Sequence, residues 1–182
     1  KARLFSDYGC HTVIVNADDA SAPYMLAESS AREVWTTSCM ARGTSLYADR
    51  IRPTRNGHAF GSSFLLHTKE EGEIPVSLSL PGECNVSNAL LALGMVYAYG
   101  KACAASDFAF RALAPHLCEL RIPGRFEPVR TVQGSVDYLI DYAHNGYSLR
   151  AALCALRAYA PARLVCLLGS VGARTYSRRT EL

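Results

Sequence analysis

Asp141-Tyr142-Ala143-His144-Asn145-Gly146 separates two segments of different periodicity. Before it, Val136-Asp137-Tyr138-Leu139-Ile140 reads as a buried strand. After it, Leu149, Ala152, Leu153, Leu156 and Tyr159 recur at helical spacing. A carboxylate and an imidazole therefore stand at the carboxyl end of a strand, just ahead of a helix. That is where open α/β sheets bind ligands.

Outward from this stretch the pattern continues. Arg163 to Leu168 reads as a further strand, followed by Gly169-Ser170-Val171-Gly172, whose glycines permit close backbone approach. Strand, helix and strand in succession are the start of a Rossmann-like doubly wound unit. Upstream, Ile122-Pro123-Gly124 stops a helix and favours a turn. It divides the chain into 1–123 and 124–182.

In the first part, Thr12 to Val15 reads as a buried strand ending at Asn16, and Asp18-Asp19 lead into a helix near Pro23 to Arg32 with Ser21 as its cap. Val34 to Thr37 is a second β-rich run, so a parallel sheet is expected. Between Ser45 and Leu80, Ala59 to His67 and Ile74 to Leu80 read as antiparallel strands, with Asn56-Gly57 a hairpin turn. Asn88 to Tyr99 is rich in Ala and Leu and reads as a helix ended by Gly100. Another helix starts at Ser106-Asp107, ahead of Phe108, Phe110, Leu113 and Leu117. The fold class is α/β: a parallel sheet with a small antiparallel sheet, then the Rossmann-like unit.

Composition fits a packed protein. Of 182 residues, 49% are hydrophobic, enough for a core, and the formal net charge of +3 is too mild to indicate nucleic acid binding. No apolar run is long enough to span a bilayer. The seven cysteines, an odd number with no Cys-x-x-Cys pair, read as buried reduced thiols of a cytoplasmic protein.

Two further motifs precede the opening stretch: Pro81-Gly82-Glu83-Cys84-Asn85-Val86-Ser87-Asn88-Ala89 and Pro123-Gly124-Arg125-Phe126-Glu127. Together with Asp141 to His144 and the glycine-rich loop, their order resembles the Mur ligases, ATP-dependent amide-bond-forming enzymes of peptidoglycan synthesis. Within that family the chain is most similar to the MurE-type branch, which adds the third residue of the stem peptide. Lys1 to Phe5 and Val15-Asn16-Ala17-Asp18-Asp19 resemble the central domain, so the likeness spans nearly the whole chain. Cys84 departs from the pattern, where Phe or His is usual. Asn145-Gly146 stands where many members have Thr-Pro.

The resemblance implies that 1–123 is the back part of an ATP-binding central domain and 124–182 the front of the C-terminal domain. No Gly-x-x-Gly-Lys-Thr/Ser phosphate loop occurs in the sequence. The reading is therefore of an internal piece of a longer ligase, inactive alone, with the phosphate loop and the Mg2+ ligands upstream. The implied reaction uses ATP and Mg2+ to join an amino acid to UDP-N-acetylmuramoyl-L-alanyl-D-glutamate, in a cytoplasmic monomer without nucleic acid or membrane partner. Cyanophycin synthetase, folylpolyglutamate synthetase and a non-catalytic nucleotide-binding module are the alternatives.

Five residues carry the nucleotide reading. Asn85 is read as the cap of the Ala/Leu helix that supports Asn88. The Asn88 amide, with one acceptor and two donors, matches the donor and acceptor on adenine's edge. Arg125 is either an ion-pair partner of Glu127 or a planar cation for phosphate or ribose oxygens. Asp141 is either an Asx-turn residue or the acceptor of the ribose hydroxyls. His144 is either a turn residue or a donor to the nucleotide.

Overall fold

The computed structural model describes residues 3–104, 108–129 and 136–169. A short helix, α1 (Arg3–Ser6), precedes β1 (Thr12–Asn16), α2 (Ala22–Ala27) and β2 (Glu33–Ser38). Then come β3 (Leu46–Asn56), β4 (Ala59–Thr68), β5 (Gly72–Leu78), α3 (Glu83–Ala102) and α4 (Phe110–Leu113), which runs into a 3-10 turn at Ala114–Cys118. The second part holds β6 (Glu127–Val129), β7 (Tyr138–Ile140) and α5 (Gly146–Arg157).

β1 to β5 form one sheet in sequence order. β1–β2 and β2–β3 pair in parallel, β3–β4 and β4–β5 antiparallel. The expected parallel and antiparallel portions are thus hydrogen-bonded into a single sheet. Their seam is short: β2 meets β3 only at Thr37–Leu46 and Ser38–Tyr47. Past that point β3 has no neighbour on that side among the described residues, and Pro53, which lacks an N–H, falls in this edge segment. Between Asp49 and Arg52 the register shifts, and Arg50 takes a positive φ of 53°.

Each face of β1 has its own cover. Val13 and Val15 pack with Ala22, Phe5 and Leu26, whereas Ile14 faces the main core. That core lies between α3 and the sheet. Val86, Leu90 and Leu93 of α3 meet Trp35, Leu46, Phe64, Leu66 and the alternating Ile74, Val76 and Leu78 of β5. The Tyr97 and Phe110 rings stack with centroids 4.1 Å apart, joining α4 to this core.

Several boundaries differ from the sequence reading. α2 ends at Ala27, not near Arg32, and Ser21 makes no side-chain cap; its N–H donates to Asp19 Oδ1 instead. Gly100 does not end α3, which runs to Ala102. Gly100 is needed for packing, since a Cβ there would lie 2.2 Å from Phe108 Cγ. The helix expected from Ser106-Asp107 is the single turn of α4, and those two residues lie outside the described ones. The Glu71 carboxylate receives the leading N–H groups of α4: Phe110 N–H at 2.6 Å and Arg111 N–H at 3.0 Å.

Val136, Tyr138 and Ile140 are about half exposed rather than buried, because among the described residues β7 pairs with β6 alone. The strand expected over 163–168 is irregular chain with Val165 and Leu167 exposed. Among the described residues no strand lies beside it to complete a ladder. Ser170, Val171 and Gly172 of the glycine-rich loop fall outside the described residues. All seven cysteines are free thiols and none is fully buried, with Cys10 and Cys39 the less exposed. The other five stand on the surface or along a cleft.

Removing the carboxylate that anchors α4 strands two helix N–H groups, while the Arg111 contact to the Glu71 backbone carbonyl at 3.1 Å keeps its acceptor. Glu71→Ala is expected to lower stability by about 1–2 kcal/mol. In urea unfolding the midpoint should fall with an unchanged slope.

Candidate functional site

A cleft of about 710 Å3 opens at the carboxyl ends of β1 and β2. Asn16, Asp18 and Asp19 form one side, Gly82, Glu83, Cys84, Ser87 and Asn88 of the α3 start form the floor, and α5 forms the opposite wall through Tyr147, Ala151 and Cys154.

The β1–β2 side is a hydrogen-bonded node. Asp18 Oδ1 accepts from Ser38 Oγ at 2.5 Å and Asp18 Oδ2 from Cys39 N–H at 2.7 Å. Ser38 Oγ in turn accepts from Met40 N–H and Ala41 N–H at 2.9 and 2.7 Å. Asn16 Oδ1 accepts from Asp18 N–H at 3.1 Å. These bonds fix the two loops that leave the parallel strands. The reading of the sequence gave Asp18 no site role, although an Asn-x-Asp-Asp run directly after a strand was the available signal.

The α3 start differs from expectation. The N-cap is Gly82, not Asn85, at φ 91° and ψ 152°, a conformation that favours glycine. Asn85 lies in the first turn and donates from Nδ2 to the Pro81 carbonyl at 2.7 Å. Asn88 is exposed on the cleft side and has no hydrogen-bond partner among the described residues.

Gly82 also lets α5 approach. A Cβ there would stand 2.5 Å from Ala155 Cβ. Ala152 and Ala155 share a small core with Phe126, and Tyr159 OH donates to the Gly61 carbonyl while its ring meets Phe60 edge-on at 4.9 Å. α5 itself is held by a capping box between Asn145 and Ser148.

The remaining candidates do not converge on the Asn88 cleft. Arg125 lines a second cleft, with its guanidinium 5.2 Å from the Tyr142 ring centroid rather than paired with Glu127. Glu127 instead accepts from Gly124 N–H at 2.8 Å. Asp141 makes the Asx-turn, accepting from Ala143 N–H at 2.8 Å, and also from Phe126 N–H at 3.1 Å. It thereby ties the Gly124–Glu127 motif to the loop after β7. His144 is exposed and its Nδ1 lies 3.0 Å from the Tyr142 carbonyl. A carbonyl only accepts, so Nδ1 carries the hydrogen and Nε2 of the neutral ring is left as an acceptor.

A helix-walled cleft at the carboxyl ends of parallel strands is the place where α/β sheets hold ligands. The comparisons narrow this. The family model described as Mur ligase middle domain matches residues 1–96, and that described as Mur ligase, glutamate ligase domain matches residues 124–182. The chain belongs to the Mur ligase family. It is 30% identical over 185 residues to the UDP-N-acetylmuramoyl-L-alanyl-D-glutamate–2,6-diaminopimelate ligase of Xanthomonas campestris pv. campestris (strain 8004), across 100% of this chain and 35% of that protein. It is 29% identical, with the same coverage, to the ligase of that name from Trichormus variabilis. The chain thus spans about a third of the length of the curated relatives it matches. A solved structure of a ligase of that name superposes with a TM-score of 0.66 at 25% identity, over 99% of this chain and 35% of the other. The folylpolyglutamate synthetase of Lactobacillus casei shares the fold, with a TM-score of 0.63 at 15% identity over 83% of this chain and 36% of that one.

Two outcomes follow from this geometry. Gly82→Ala is expected to lower stability by about 1–3 kcal/mol, because its Cβ meets Ala155 and its φ disfavours a side chain. Edge contact between Tyr159 and Phe60 should weaken with it, seen as ring-proton shifts. Burial, with the Glu83 and Asp18 carboxylates nearby, pushes the Cys39 thiol from 9.0 up to about 12. Its thiolate fraction therefore grows only as pH approaches that value. Between pH 7 and 9, iodoacetamide should label Cys103 and Cys118 well before Cys39, and mass spectrometry of the peptides reads the order.

Proposed function

We propose that this chain forms the adenine side of the nucleotide site of an ATP-dependent acid–amino acid ligase. The ligase would add the third amino acid to UDP-N-acetylmuramoyl-L-alanyl-D-glutamate in peptidoglycan precursor synthesis. The observation that carries this reading is Asn88, an unpartnered amide facing a cleft large enough for a nucleotide at the carboxyl edge of a parallel sheet. Family membership, and the names of the relatives above, support the reaction class.

The chemistry explains the nucleotide. A carboxylate is a poor electrophile, so ATP phosphorylates it. The amine of the incoming amino acid attacks the acyl phosphate, forming the amide and releasing phosphate, with ADP left from the first step. The cleft's carboxylates are Asp18, Asp19 and Glu83. Both Asp18 oxygens already accept hydrogen bonds, and among the described residues no three His, Cys, Asp or Glu groups come together. In this reading the Mg2+ ligands and the phosphate-binding loop lie outside the described residues, and this chain does not ligate by itself.

The proposed domain boundary is Ile122-Pro123-Gly124, separating 1–123 from 124–182. Arg125, Asp141 and His144 belong to the second part. In this reading their loops turn about that linker toward the ribose and phosphates while α5 keeps its seat on Gly82 and Asn85 holds the α3 start. Closure of this kind would exclude the water that hydrolyses an acyl phosphate. Among the described residues no helix is long and apolar enough to cross a membrane, and the site is proposed to work in the cytoplasm.

Asn88→Ala is expected to weaken saturable binding of a fluorescent ATP analogue to this chain by about 2- to 10-fold, one net hydrogen bond's worth. Thermal unfolding should barely move, since the Asn88 side chain makes no hydrogen bond among the described residues. Unchanged affinity, or no saturable adenine-nucleotide binding by the parent chain, would reject the assignment.

A further inference from the structure

The second cleft, about 680 Å3, lies on the other side of the α5 seat, between the β3–β4 hairpin and the linker. Its lining carries three guanidiniums, Arg55, Arg121 and Arg125, against one carboxylate, Glu127. Arg55 is balanced from outside the lining by Asp137 at 2.7 Å. Arg121 and Arg125 have no carboxylate partner among the described residues. Arg121 Nη1 donates only to the Leu120 carbonyl at 2.9 Å, and Arg125 lies over Tyr142. Glu127 accepts from the Gly124 N–H and keeps its charge, so with Arg55 matched by Asp137 the pair Arg121 and Arg125 faces a single carboxylate and the concavity stays net positive.

The rest of the lining mixes apolar side chains, among them Phe60, Leu78, Ile122 and Phe126, with the polar Thr54, Asn56, Ser77 and Ser79. A concave, partly apolar surface carrying a few charged and polar groups is the chemistry of a small-molecule site. Guanidiniums in that setting select carboxylate or phosphate. We propose that this cleft binds an amphipathic anion, a carboxylate or phosphate carried on a short apolar or aromatic body. The anion meets Arg121 and Arg125, and the body lies along Phe60 and Ile122. Such a ligand touches both the hairpin of the first part and the linker that begins the second, so its binding stiffens their junction. The inference does not depend on a nucleotide in the Asn88 cleft.

The test uses this chain with 4-phenylbutyrate, phenyl phosphate, the neutral 4-phenylbutanol and inorganic phosphate, titrated by calorimetry at low salt. Both aromatic anions are expected to saturate and to raise the melting temperature. The stronger of the two distinguishes a carboxylate ligand from a phosphate one. The alcohol and inorganic phosphate, each lacking one half of the chemistry, should bind at least tenfold more weakly. Arg121→Ala removes an exposed side chain with no packing role and should weaken both anions about tenfold. Ser77→Glu places a carboxylate in the lining from an exposed strand position and should abolish binding. Phe60 ring protons should shift on titration in the parent chain. Equal binding of alcohol and acid, unchanged affinity in both variants, or no saturable binding of either anion would overturn the proposal.

Discussion

The absence of a side chain at Gly82 is the constraint on which the candidate sites depend. Without a Cβ there, the first turn of α3 and the Ala155 face of α5 meet backbone to methyl. That contact sets α5 across the sheet's carboxyl edge and turns an open strand end into a walled cleft. Tyr159 then fastens the far end of α5 by reaching the Gly61 carbonyl and the Phe60 ring. The same seat divides the surface into two concavities: one faces β1 and β2, the other the hairpin and linker. Moving α5 by an ångström would alter both.

Much of the scaffold was legible because it rests on short-range pattern. β1 and β2 read directly from apolar β-branched runs, and α5 from the helical recurrence of Leu149, Ala152, Leu153 and Leu156. The hairpin at Asn56-Gly57 followed from turn chemistry, with Gly57 at φ 59°. The limits of β3 were harder to see. Leu46–Asn56 carries three arginines and a proline, and only its pairing with β4 makes it a strand.

What stayed hidden was set by partners distant in sequence. Asn85 looked like a cap by residue type, yet the cap is a glycine whose backbone no asparagine would favour, and the Asn85 amide found the Pro81 carbonyl. Glu71 anchors α4 from 39 residues away, beyond any local motif. The 163–168 segment has a strand's composition but no ladder neighbour among the described residues. Asp141 and Arg125 fell in short motifs, but their pairing with Phe126 N–H and the Tyr142 ring depends on how the second part folds back on itself.

The seam between the parallel and antiparallel halves of the sheet is only two residue pairs long. A sheet joined so narrowly is mechanically two plates, and the member that splints them is α3, which lies across β1, β2, β3 and β4. Shear between the plates is resisted by one helix rather than by a ladder. The antiparallel half is therefore a module. It could lengthen, shorten or be exchanged through evolutionary time, provided its apolar face still fits the underside of the splint and Phe60 and Gly61 still receive Tyr159.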